Sequence, residues 1–269
     1  MLSMVSQPIH LPSTAELPCS DDTPVDNEDQ NLLPNLLLFV LTSLWAEQMD
    51  WYFGVDMAVY HRTGENPRKP VVPDAFLSLG VERRKPERDG KGRLSYALWE
   101  ENNVPPILAL EMVSQTPGAE YDEKLEIYQR LGVLYYVVYN PLHWQRDQHQ
   151  PFEVYKLIEG HYQLQNREPC WMPEIGLGIG RGQQPFGGIE MEALLWYDEH
   201  GQAHPIPEEE LRRLRLQVER QRLRADLAEQ KADVERQRAE SAEQKAETER
   251  QRAERLAEQL RKLGIDPDE

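Results

Sequence analysis

The sequence predicts an α/β protein, with a mixed β-sheet flanked by helices and a long C-terminal helix or coiled coil beyond it. Three observations carry that prediction. Short segments are apolar at strand length, either alternating, as in Trp51–Tyr60, or nearly continuous, as in Ile107–Val113. A helical stripe of Tyr121, Leu125, Tyr128 and Leu131 separates that segment from the apolar run ending at Tyr139, which makes a strand–helix–strand unit. From Pro207 onward the period changes to a heptad that persists almost to the end of the chain.

The 269 residues suffice for one well-cored domain and an appendage. No run reaches the ~18 apolar residues that a membrane span requires. The N-terminus lacks a basic region followed by an apolar core, so no signal peptide is expected. Cys19 and Cys170 stand far apart and form neither a disulfide framework nor a zinc pattern. The expectation is a reduced, soluble, cytoplasmic protein. Net charge is −17. Residues 206–269 hold 15 Lys and Arg against 17 Asp and Glu, so residues 1–205 hold the other 15 basic and 30 acidic residues, a net −15. So acidic a body is a poor non-specific DNA binder, because neutralising phosphates takes Lys and Arg.

In chain order, residues 1–30 carry four prolines and an acidic run without apolar period, and read as a disordered leader. Residues 31–205 read as the folded domain. Asn31–Asp50 reads as a helix with Leu37, Val40, Leu41 and Leu44 on one stripe, and Asn35 after Pro34 is a plausible cap. Trp51–Tyr60 alternates as a strand, in which Asp56 reads as a solvated residue or, alternatively, as one near a site. After a turn at Arg62–Arg68, extended structure resumes at Val71–Leu79 around Pro73-Asp74. Glu82–Arg93 is a loop holding Arg83, Arg84 and Lys85, part of the one basic cluster in the acidic body. It reads either as a solvated hairpin tip or as a phosphate contact beside the Asp74 strand. Thr116 and Pro117 suit a helix cap and first turn. Phe152–Leu157 and His161–Leu164 form a hairpin about Glu159-Gly160. Trp171–Gly188, rich in glycine and proline, reads as a meandering cover over the core, and Leu194–Tyr197 as a short strand.

The C-terminal segment, residues 206–264, places Leu211, Val218, Ala225 and Ala232 at one core position and Leu214, Gln221, Ala228 and Glu235 at the other. AEQKADVERQRAE and AEQKAETERQRAE repeat fourteen residues apart, which is two heptads. The seam is weak, and a lone charged helix propped by Glu/Arg pairs is the competing description. Gly264 and Pro267 end the helix, leaving residues 265–269 as a tail.

Chemistry concentrates in Glu111–Pro141. Glu111 shares a strand face with Ile107, Ala109 and Val113, and a carboxylate in so apolar a strand is costly unless it is paired or holds a metal. Lys124 shares the inward stripe of the following helix and also forms an i,i+4 pair with Glu120. Lys124 is thus either a snorkelling surface lysine or a partner of Glu111. Two carboxylates, Asp74 and Glu111, with one lysine are the minimum parts for metal-assisted phosphodiester cleavage.

Pro73-Asp74, then Pro106-Ile-Leu-Ala-Leu-Glu111-Met-Val-Ser114, Glu120-x-x-x-Lys124, Tyr128, Leu131-Gly132-Val133 and Asn140-Pro141 resemble the Uma2 family, a branch of the PD-(D/E)XK nuclease superfamily. The similarity covers roughly Leu32–His200. It implies a restriction-endonuclease-like core and Mg²⁺-dependent DNA cleavage, with Mn²⁺ as a substitute. Asp74 and Glu111 are the implied metal ligands, Lys124 the catalytic lysine, and Glu120 and Ser114 accessory groups. In the superfamily pattern the lysine lies two residues after the second acid; that place is Val113 here, so its role passes to Lys124. The expected partners are DNA, and a second copy or another protein through residues 207–263. The alternatives are an inactive nuclease-fold scaffold and a nuclease acting on RNA.

Overall fold

The computed structural model describes residues 11–18, 27–63, 66–85, 92–115 and 119–262. It divides into two compact units, Met1–Glu209 and Glu210–Glu269.

The first unit is a mixed α/β body. Its main sheet has six strands. In chain order these are β1 (Trp51–Val55), β3 (Ala75–Leu79), β5 (Leu108–Met112), β6 (Tyr135–Tyr139), β7 (Phe152–Ile158) and β8 (His161–Gln165), and they lie side by side in that same order. A two-residue parallel pair, β2 (Val59–Tyr60) with β4 (Tyr96–Ala97), stands apart from it. All neighbours in the main sheet are antiparallel except β5 and β6, which run parallel with Glu111 beside Val138. A parallel pair needs a crossover, and α2 (Glu123–Leu131) supplies it. Gly132, at φ 79°, closes that helix in the left-handed conformation that glycine adopts freely.

Strand alternation sorts side chains onto two faces. Leu108, Leu110, Met112, Tyr135, Val137 and Tyr139 face the larger core, formed with α1 (Glu28–Leu44) and a three-stranded antiparallel sheet. Ala109, Val113, Tyr136 and Val138 face a second core closed by Tyr128 and Leu131 of α2. The smaller sheet comprises β9 (Cys170–Met172), β10 (Leu177–Phe186) and β11 (Ile189–Tyr197), and the Trp196 indole N–H donates to the Leu37 carbonyl at 3.0 Å to tie it to α1.

Several expectations need correction. The leader is partly packed: Leu17 is buried against Ala58, Tyr60 and Ala97, the Pro18 carbonyl accepts from the Tyr60 hydroxyl and the Pro12 carbonyl from the Trp99 indole. The helix expected from Asn31 starts at Glu28, because the Asn27 carboxamide accepts from the amides of Asp29 and Gln30. Asn35 instead donates its side chain to the Asn31 carbonyl, and Pro34 lies inside the helix. The single strand expected over Trp51–Tyr60 breaks at Asp56, whose φ is 47°. The expected meander after Trp171 is β9–β11. Its glycines hid the strand pattern. A Cβ on Gly180 would lie 2.9 Å from the Pro169 backbone, and one on Gly182 2.6 Å from Leu195, so β10 has no room for a side chain at those two positions. The hairpin at Glu159-Gly160 is present, with both residues at positive φ as a two-residue hairpin turn requires. Cys19, Thr116, Pro117, Gly264 and Pro267, named above, lie outside the described residues.

The first unit also holds the one-turn helix α3 (Trp144–Asp147). The second unit is the 56-residue helix α4 (Pro207–Lys262), a rod of about 84 Å. Leu211, Val218, Leu227 and Leu256 remain exposed along it, while pairs such as Arg250–Glu254 and Arg236–Asp233 line its surface.

Candidate metal centre

Three adjacent strands end at one edge of the main sheet. Val55, the last residue of β1, pairs with Ala75, the first of β3, and Ala75 pairs with Leu110 of β5. Asp74 therefore emerges beside Glu111. Asp74 Oδ2 accepts from the Met112 amide at 2.6 Å, and the Asp74 carbonyl accepts from the Asp56 amide at 3.0 Å. The other Asp74 oxygen has no hydrogen-bond partner among the described residues.

Glu111 is only 1% exposed. It lies on the α2 face of β5, so the crossover helix lies over it. Lys124 Nζ, from the first turn of α2, donates to Glu111 Oε2 at 2.7 Å, and the Tyr128 hydroxyl, one turn later, donates to Oε1 at 2.6 Å. Spacing of four brings both donors to the same helix face. Of the two readings of Lys124, the structure takes the inward one. Glu120 is not its partner on a helical surface: it precedes the helix, is buried, and accepts from the Tyr136 hydroxyl with its carbonyl. Ser114 is half-buried just beyond the same strand end.

Burial dominates the electrostatics. Asp74 is pushed up to about 8, first by burial and then by the charge of Glu111, against the opposing pull of the Met112 amide and Lys124. Glu111 is also raised by burial, an effect that Lys124 and Tyr128 oppose. Burial works against the Lys124 charge, but Glu111, Asp74 and Glu120 outweigh it and hold the ammonium above its ordinary range. Lys124 is therefore a cation at neutral pH and can donate or stabilise charge but cannot accept a proton. Without a cation added, Asp74 keeps its proton near neutrality.

Among the described residues, no three His, Cys, Asp or Glu side chains lie close enough together to enclose a metal ion. A cation at this place would have two carboxylates, Asp74 and Glu111. That donor set suits Mg²⁺, which takes one or two carboxylates and completes its shell with water and phosphate, and does not suit a closed zinc site.

Arg83, Arg84 and Lys85 are not brought to this edge. They follow the far end of β3, where the Arg83 amide donates to the Met49 carbonyl just before β1. The length of a five-residue strand, roughly 17 Å, separates the two places. The sequence reading gave Tyr128 no chemical role; its position four residues after Lys124 was the available signal. Asp56, exposed at the rim, adds its charge to the upward shift of Asp74.

Fold and site together define a mixed α/β protein with a carboxylate–lysine centre buried where its central strands end. The chain belongs to the Uma2 family, described as "Putative restriction endonuclease", whose model matches residues 22–184, more than half of the chain. A similar solved structure is a "putative nuclease belonging to DUF820 from Anabaena variabilis ATCC 29413", at 12% identity and TM-score 0.39, covering 56% of this chain and 74% of that one. No curated protein matches the chain. No helix among the described residues is long and apolar enough to cross a membrane.

The Asp74 shift sets a pH dependence for the metal-free protein. An unfolded carboxyl ionises near 3.8 and the folded one near 8, so folding loses stability as pH rises through that window and the penalty is complete above it. Asp74→Asn keeps an acceptor for the Met112 amide and carries no charge. In chelator, the variant should melt above the parent at about pH 8.5 and converge with it near pH 4 in a thermal-denaturation series.

Proposed function

We propose that the protein is a Mg²⁺-dependent endonuclease that hydrolyses DNA phosphodiester bonds, with Mn²⁺ able to substitute. The observation that carries this reading is the meeting of Lys124 with Glu111 at 2.7 Å beside Asp74, three groups from a helix, a strand and the residue that precedes a second strand. Asp74 and Glu111 would hold the cation, which would neutralise phosphate charge and lower the pKa of an attacking water. Lys124, as an ammonium, orients that water or stabilises charge building on the phosphoryl oxygens. Tyr128 fixes the Glu111 carboxylate from the opposite side. Glu120 adds negative charge that acts on both Glu111 and Lys124, and Ser114 follows the same strand end.

A second reading has specific support. Both Glu111 oxygens are already satisfied by Lys124 and Tyr128, and the body carries net −15. A retained nuclease fold serving as a scaffold would need nothing more. The two readings differ in a plasmid-nicking assay. Lys124→Ala should abolish Mg²⁺-dependent nicking, a loss of at least ~100-fold for a group that stabilises transition-state charge, assayed at a temperature where circular dichroism shows the destabilised variant still folded. Equal nicking by variant and parent removes the catalytic assignment. No nicking by the parent with either metal favours the scaffold.

For α4 we propose self-association through the stripe that includes Val218 and Leu256, 62% and 52% exposed. Sedimentation equilibrium of the full chain should show a concentration-dependent oligomer, and Val218→Glu with Leu256→Glu should leave a monomer. A parent that is monomeric at all concentrations contradicts this.

A further inference from the structure

A second cluster of charge lies at the opposite end of the main sheet. A cavity of about 440 Å³ there is lined by Tyr52, Arg83, Arg84, Lys85, Gly92 and Arg93. Its volume is within the roughly 300–1,000 Å³ of small-ligand sites. Four cations line it, and among the described residues one buried carboxylate, Glu101, approaches them, in a body that is otherwise strongly acidic.

The cations are held in place by the fold. The Arg83 guanidinium lies 3.8 Å over the Trp51 ring, and that of Arg93 4.4 Å over the Tyr52 ring. Stacking occupies the face of a guanidinium and leaves its in-plane N–H edge for an anion. Lys85 Nζ donates to the Glu100 carbonyl at 2.6 Å and lies 3.5 Å from Glu101. Arg93 is bound to Glu101 through Nε at 2.8 Å and Nη2 at 3.0 Å, and its side chain is 2% exposed. Its Nη1 is buried and has no hydrogen-bond partner among the described residues. Buried donors are almost always satisfied, so an unpartnered guanidinium nitrogen beside a cationic cavity points to a missing acceptor. Neither Arg83 nor exposed Arg84 is paired with a carboxylate among the described residues. Burial, and to a smaller extent the charge of Arg93, disfavours the charged form of Arg83.

We propose that this cavity is a phosphate-binding site, distinct from the carboxylate–lysine centre, in which Arg83, Arg84 and Arg93 take the phosphate oxygens. A phosphate has the multiple acceptor oxygens and the charge to satisfy guanidinium edges bidentately. It could belong to a nucleic-acid backbone, in which case the site grips a segment roughly one strand length from the cleavage centre and rests on the nuclease reading. It could also be a free phosphate or pyrophosphate, and then it does not.

The test uses the full chain in chelator, so that no cleavage is needed. Pyrophosphate is titrated by thermal shift against sodium chloride of matched ionic strength, and a labelled DNA duplex is titrated by fluorescence anisotropy. Both are repeated with Arg84→Glu, at an exposed position, and with Arg83→Ala. The site predicts that the parent binds and that Arg84→Glu weakens binding by about tenfold or more. Loss of the duplex signal in the variants assigns the phosphate to nucleic acid, and loss of the pyrophosphate signal alone assigns it to a free ligand. Binding of neither probe by the parent, or binding of both unaffected by the variants, overturns the proposal. Because the pyrophosphate arm involves no DNA, failure of the nuclease reading leaves it standing.

Discussion

The buried carboxylate of Glu111 is the constraint around which this domain is arranged. A glutamate in the middle of an apolar sheet is tolerated only with its charge met and its oxygens bonded. Lys124 and Tyr128 do both, and each comes from α2. The crossover helix therefore has a fixed rotation: the face that carries Tyr128 and Leu131 into the second core also carries the two donors. Removing one partner of a buried ion pair costs about 3–5 kcal/mol, so chemistry and fold share the same contacts.

The strand order explains why Asp74 belongs to the same centre although it lies 37 residues earlier in the chain. β3 runs antiparallel to β5, so the start of one meets the end of the other. The Met112 amide, next to Glu111, binds Asp74 directly. Two carboxylates are thereby held side by side under one ammonium. The raised pKa of Asp74 expresses first the cost of burying its carboxylate and then that of crowding it against Glu111, costs that a divalent cation would offset. A buried carboxylate pair that an added cation would relieve is the physical link between the folded domain and the proposed activity.

Much of this was legible in the sequence. The alternation around Glu111 and the helical stripe through Lys124 gave the strand–helix–strand unit and the inward lysine. Chain order alone could not place the basic loop. Arg83, Arg84 and Lys85 follow Asp74 closely in sequence, yet a strand separates them in space, because β3 carries the chain from one edge of the sheet to the other. The small sheet was hidden by glycines at alternate positions, which erase the apolar alternation on which a strand assignment depends. The leader's anchor at Leu17 was hidden for the opposite reason: a single buried leucine among prolines has no period. Tyr128 was visible as a core residue, but its hydroxyl bond to Glu111 depends on a register that only the packed helix defines.

The most direct measurement is calorimetric titration of Mn²⁺ into the parent protein and into the Asp74→Asn and Glu111→Gln variants. The account predicts one binding event in the parent that both substitutions abolish, with proton release near neutral pH as Asp74 ionises to take the cation. Absence of binding in the parent, or binding that survives both substitutions, would contradict it.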